Sequence, residues 1–182
     1  MDRQIYLAFI NGHFPPQWKD LAIDLRHCLP FTFKILPLKI NLRLFYSTDR
    51  HQYHSTLLLG QLLKNLPEQG DKIIGITDVD IYIPILTFLF GEAQLNGRGA
   101  VVSTYRLNTQ FYGLPRNDQL LYHRTLKEIL HELGHTFGLI HCSDFECVMN
   151  SSTYVENIDL KQASFCASCQ DKIGVNCDKR LP

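Results

Sequence analysis

The sequence predicts an α/β fold: a mixed, mostly parallel five-stranded sheet with one antiparallel edge strand, crossover helices, and a long helix that carries paired histidines. Three observations predict it. As far as Thr77, strand-like and helix-like segments alternate, which is the pattern of parallel strands joined by crossover helices. Two strand-like segments then follow across Leu95-Asn96-Gly97-Arg98-Gly99, a turn of hairpin length. One of that pair must run antiparallel to the rest, and such a strand sits at the edge of a mostly parallel sheet. Last comes a segment of helical periodicity that leads into His131 and His135.

Each element has its own signal. Gln4 to Ile10 is apolar, β-branched and aromatic and ends at Asn11-Gly12, a strand and its turn. Pro15-Pro16 starts a helix to about Cys28, closed by Pro30. Its stripe of Trp18, Leu21, Ala22, Leu25, Cys28 and Leu29 makes Cys28 a core residue. Residues 36 to 45 form a second strand. Thr48 or Asp49 caps a helix running to about Leu66, with Pro67 beyond it. Lys72 to Thr77 reads as a central strand buried on both faces. Thr87 to Ala93 and Ala100 to Tyr105 are the hairpin strands, the first of them at the edge. Asn117 or Asp118 caps the long helix, on which Leu126, Ile129, Leu130, Leu133 and Phe137 form the buried face. Arg124, Glu128, His131 and His135 share the other face.

Composition narrows the function. The 182 residues are 45% hydrophobic and 20% charged, with 18 basic and 18 acidic side chains. That is an ordinary globular balance, long enough for one domain with a real core, residues 1–182. Zero formal charge gives no electrostatic footprint for nucleic acid or an anionic membrane. The longest apolar run, Ile81 to Phe90, contains Pro84 and is too short to span a bilayer. The N-terminal residues lack the apolar run and cleavage site of a secretory signal, so a cytoplasmic monomer is expected. In that compartment six cysteines are thiols or metal ligands rather than disulfides.

Residues 131 to 141 read H-E-x-x-H-x-x-G-x-x-H. On a helix, His131 and His135 lie one above the other, so that two imidazoles can bind one zinc ion with Glu132 beside them as a candidate base. A helix cannot place a third ligand six residues further on. Gly138 lets it stop, because glycine tolerates the left-handed backbone that ends helices, and the chain can bring His141 back to the metal. Three neutral ligands leave the fourth tetrahedral position to water, the mark of a catalytic zinc. By composition alone a bare H-E-x-x-H arises in roughly 1–2% of such chains, and Gly138 with His141 makes coincidence far rarer.

A second constellation follows. Cys142, Cys147, Cys166 and Cys169 form two close pairs, the second a C-x-x-C. Four thiolates so spaced suit a closed, structural zinc site. A redox pair or disulfides are the alternatives. Cys177 is an unpaired thiol or a substitute ligand. A nucleic-acid module built on these cysteines is opposed by the four basic residues after Cys142, namely Lys161, Lys172, Lys179 and Arg180. A catalytically idle zinc-binding interaction module is opposed by Glu132, which a structural site does not need.

His131 to His141, Cys142, Cys147, Met149, Cys166 and Cys169 together resemble the archaemetzincin family of metzincin-type zinc metallopeptidases. Gly75 to Asp80 and Phe90-Gly91-Glu92-Ala93 resemble it more loosely. The resemblance implies a metzincin-like fold with an upper sheet and helix lobe, 1–138, and a zinc-braced lower lobe, 139–182. It implies peptide or protein substrates, and two zinc ions, one catalytic on His131, His135 and His141 and one structural on the four cysteines. Met149 then belongs to a tight Met-turn beneath the histidines. Some metzincins carry a tyrosine two residues after this methionine; Ser151 stands there, with Tyr154 as a poor substitute.

Overall fold

In a computed structural model of the chain, residues 3–12, 15 and 18–175 are described. Strands β1 (Gln4–Ile10), β2 (Thr32–Leu38), β5 (Lys72–Thr77), β7 (Gly91–Ala93) and β8 (Gly99–Ser103) form a sheet in the order β2-β1-β5-β8-β7. Four are parallel, and β7 pairs antiparallel with β8 at the edge. The expected class and the edge strand are both found.

Period-two alternation sorts β1 between two cores. Ile5, Leu7 and Phe9 face α1 (Leu21–Cys28) and α3 (Asp118–Thr136), meeting Leu25, Leu130 and Leu133. Tyr6, Ala8 and Ile10 face α2 (Ser55–Leu63) through Leu58, Leu59 and Leu62. Both faces being covered explains why β1, β5 and β8 are almost wholly apolar and buried. Cys28 is 1% exposed, a core residue as expected.

Several boundaries differ from expectation; the second hairpin strand, for one, is Gly99–Ser103 rather than Ala100 to Tyr105, because the chain turns into a 3-10 segment at Tyr105. The second strand is Thr32–Leu38 rather than 36–45, because the Asn11 side chain takes both the N–H and the C=O of Ile40 and ends it. Leu42–Phe45 then turns as a 3-10 segment capped by Asn41. Thr48 and Asp49 do not cap a helix. They lie in a turn between β3 (Tyr46–Ser47) and β4 (Gln52–His54), which form a small sheet with β6 (Ile81–Tyr82), and α2 starts only at Ser55. The edge strand is the three residues of β7, not Thr87 to Ala93. Arg50 takes the carbonyls of Leu86 and Thr87, and Gln52 also takes that of Thr87, so the start of this segment is held by side chains, while Leu89 bridges to Ile81 and the Phe90 carbonyl accepts from the Ser103 N–H. The first helix starts at Leu21; Pro16, part of its expected start, lies outside the described residues.

After α3 the chain folds beneath the sheet as loops and two short helices, α4 (Val155–Leu160) and α5 (Ala167–Ile173). Arg124 anchors α4 through an ion pair with Asp159 at 2.7 Å while donating to the Leu107 carbonyl at 2.8 Å. Among the described residues no helix is long and apolar enough to cross a membrane.

Candidate active site

Helix α3 starts where Asn117 accepts from the Leu120 N–H, and its end is built to turn. Gly138 adopts φ +93, and the N–H groups of Gly138 and Leu139 return to the carbonyls of His135 and Gly134. This is a Schellman ending, with Gly138 in the position that favours glycine. It redirects the chain so that His141 comes back over the helix. One nitrogen from each of His131, His135 and His141 lies within 4.8 Å of the other two.

Two of these rings are aimed from behind. His131 Nδ1 lies 2.7 Å from the Val148 carbonyl and His135 Nδ1 2.8 Å from that of Leu139. A carbonyl only accepts, so each Nδ1 carries the proton and each Nε2 keeps a free lone pair. The two Nε2 atoms converge to 3.1 Å. Burial pulls the pKa of His131 down to about 3 and, less strongly, those of His135 and His141, keeping all three neutral. Neutral, convergent imidazoles are the donor set that zinc takes.

Glu132 is 5% exposed and lies directly under the edge strand. A Cβ built on Gly91 would stand 2.5 Å from its Oε1, so only glycine leaves the carboxylate its place. Burial first, then the charges of Glu128 and Glu92, raise its pKa well above the ordinary carboxylate range, and Lys161 opposes them. A dication at the imidazoles acts in the same sense as Lys161.

The Met-turn is present. Met149 is fully buried in a turn closed by the Asn150 N–H to the Cys147 carbonyl at 2.9 Å. Its sulfur fills the space that a Cβ on Gly134, the residue before His135, would need. The four cysteine sulfurs also lie within 4.8 Å of one another. Cys142 to Cys166 and Cys147 to Cys169 each measure 3.8 Å. That is far beyond a disulfide bond, and it equals the edge of a tetrahedron with zinc–sulfur bonds of about 2.3 Å, namely about 3.8 Å. Cys177 lies outside the described residues.

A cleft of about 580 Å³ runs between residues 86–93 above and Glu128, His131, Glu132, His135, Ile140 and His141 below, closed at one end by Ser151, Ser152 and Thr153. Tyr154 is 68% exposed and caps α4 instead. Three residues gain a place in the site only in the structure. Gly91 sits within a stretch noted only for its resemblance. Glu128 was grouped with the polar face of α3 but is 3% exposed. Lys161, also 3% exposed, donates to the carbonyls of Asn150 at 2.5 Å and Val148 at 3.4 Å, so one cation ties the Met-turn to the end of α4. The signal for Glu128 was its i, i+4 spacing from Glu132; for Lys161 there was none.

The fold and this site define a metallopeptidase, and comparison with known proteins agrees. Residues 22–174 match the profile of Peptidase family M54. The archaemetzincin of Methanocaldococcus jannaschii is 45% identical over 141 residues, covering 77% of this chain and 76% of that protein. A crystal structure of archaemetzincin from Methanopyrus kandleri superposes with a TM-score of 0.82 at 33% identity, covering 95% of this chain and 94% of the other. That of the Archaeoglobus fulgidus archaemetzincin, complexed with malonate, gives 0.77 at 34% identity, covering 93% and 99%. The chain belongs to Peptidase family M54, the archaemetzincin family of zinc-dependent metallopeptidases.

Proposed function

We propose that His131, His135 and His141 hold a catalytic zinc ion and that Glu132 is the general base of peptide-bond hydrolysis. The observation that carries this reading is the convergence of three imidazoles beside a buried carboxylate in a cleft. A bound zinc supplies Lewis acidity, acidifying water and polarising the scissile carbonyl. The Glu132 carboxylate takes the proton of the attacking water and later delivers it to the nitrogen of the leaving amine. Gly91 and the helix hold that carboxylate in one place, so that no reorganisation is needed at the moment of transfer.

Strand β7 has one free edge, and an extended substrate backbone pairs there as an added strand. The four cysteines hold a second zinc, a structural one, because a closed set of thiolates leaves no position for water. The upper lobe, 1–138, and the lower lobe, 139–182, act as one catalytic domain around the cleft. Unbridged thiols suit a reducing compartment, and we place the enzyme in the cytoplasm.

A peptide-library digest with the zinc-loaded protein tests the reading. Glu132→Ala is expected to keep its zinc and to lose hydrolysis by a hundredfold or more, on the order of what a general base contributes. Cleavage by the variant at the parent rate overturns the mechanism.

A further inference from the structure

The cleft contains polar chemistry that the proposed hydrolysis leaves unused. Glu128 lies four residues before Glu132, one helical turn along the same face of α3. It lines the cleft, is 3% exposed, and its Oε1 is shut off from solvent without a hydrogen-bond partner among the described residues. Ser152, in the loop after the Met-turn, lines the same cleft, and its buried Oγ likewise has no partner. Folded proteins seldom leave such groups unmet, and a carboxylate least of all.

The neighbouring cation does not meet this need. The Lys161 ammonium is directed at the carbonyls of Asn150 and Val148. Its charge and that of Lys127 act on Glu128 from a distance, and burial still leaves the carboxyl pKa raised to about 7. A donor that reaches either atom from the cleft would satisfy it.

We propose that Glu128, assisted by Ser152, forms a side-chain subsite that selects a lysine or arginine residue beside the scissile bond. One helical turn advances about 5.4 Å and one extended substrate residue about 3.4 Å, which puts the subsite within a residue or two of the bond. A lysine or arginine stem lies along apolar walls while its cationic head reaches a buried acceptor, and a charge-assisted hydrogen bond to a carboxylate is among the stronger ones available. The inference rests on this cleft being the catalytic one.

Peptides that carry lysine or its uncharged isostere norleucine at one of the two residues on either side of the cleaved bond test the proposal. Hydrolysis is followed with the zinc-loaded enzyme, and binding by fluorescence anisotropy with zinc-loaded Glu132→Ala, which is not expected to turn the peptides over. At one position lysine is expected to exceed norleucine at least tenfold in kcat/KM and in affinity, a difference of about 1.4 kcal/mol. Glu128→Gln should abolish the preference, and Ser152→Ala, in a loop, should reduce it severalfold. Equal treatment of the two peptides, binding of neither, or a preference that survives Glu128→Gln overturns the subsite. A lysine preference in binding without any hydrolysis would uphold the subsite and sink the proposed catalytic reading instead.

Discussion

Two glycines set the position of the residues on which the proposed mechanism depends. Gly91 leaves room for the Glu132 carboxylate, and Gly134 leaves room for the Met149 sulfur. Gly91→Ala should therefore displace Glu132 without unfolding the sheet, because the atoms in its way belong to a side chain that can move. A misplacement of about 1 Å can cost around a hundredfold in rate. Steady-state kinetics should show that loss in kcat, with zinc content and thermal midpoint close to the parent; unchanged kcat would mean that Glu132 has slack. Gly134→Ala overpacks the last turn of the helix against Met149 and Phe165 and should destabilise by about 1–3 kcal/mol, read from denaturant unfolding. Both positions are glycine for reasons of close approach rather than backbone angle, which is why neither was legible in the sequence: their clashing partners lie far away along the chain or on the Met-turn.

The edge hairpin is fastened to the end of α3, and this fixes β7 above the histidines. The Asn96 N–H donates to the His135 carbonyl at 2.9 Å, and Lys72 Nζ joins the Gly97 carbonyl at 2.6 Å to that of Thr136 at 2.8 Å. A cation at a helix C-terminus also meets the negative end of the helix dipole. Lys72→Met should remove both links. A loss of about 1–2 kcal/mol is expected for hydrogen bonds to a charged group, seen as a melting midpoint lower by several degrees, together with a higher KM for peptides if β7 binds them. An unchanged midpoint would show that the turn is held without Lys72. At this scale the sequence was read well where periodicity and caps decide, as in Lys72–Thr77 and the Asn117 cap of α3. It was read poorly where side chains compete for backbone groups. Asn11 stops β2, and Arg50 with Gln52 takes the Leu86 and Thr87 carbonyls away from the sheet; no local pattern announces contacts across 29 to 37 residues.

The whole molecule is organised by the proposed metal centres and the short chain between them. His141 and Cys142 are consecutive, Cys142 N–H bonds the Met149 carbonyl, and Val148 links through its carbonyl to His131 and through its N–H to Ser164. Metal ligation can contribute about 10–16 kcal/mol of apparent binding free energy to a small fold. Cys166→Ser with Cys169→Ser should therefore release residues 142–169, weaken zinc at the histidines and cut peptidase activity strongly, although neither residue touches that site. Full activity with one zinc per chain would make the two sites independent. Removing metal should also expose a pH dependence. His131 has its folded pKa depressed to about 3, with His135 and His141 lowered too, so stability is intact above the ordinary histidine value of about 6.5. It is lost as the pH falls from there towards 3, because the unfolded chain then binds more protons. Chemical denaturation across that range of protein whose histidine zinc alone has been removed checks this, and a flat profile would deny the burial of the imidazoles. The motif itself was legible because ligands at i, i+4 and past a glycine are local, whereas the acidic floor at Glu128 and the Lys161 tie emerge only once α4 has packed beneath α3. The central claim is that both donor sets hold zinc in one chain. An anomalous difference map from crystals measured at the zinc absorption edge tests it most directly. The account predicts two peaks per chain, one about 2.0–2.1 Å from the histidine nitrogens and one about 2.3 Å from the four sulfurs; a zinc-replete crystal without a peak among His131, His135 and His141 would contradict it.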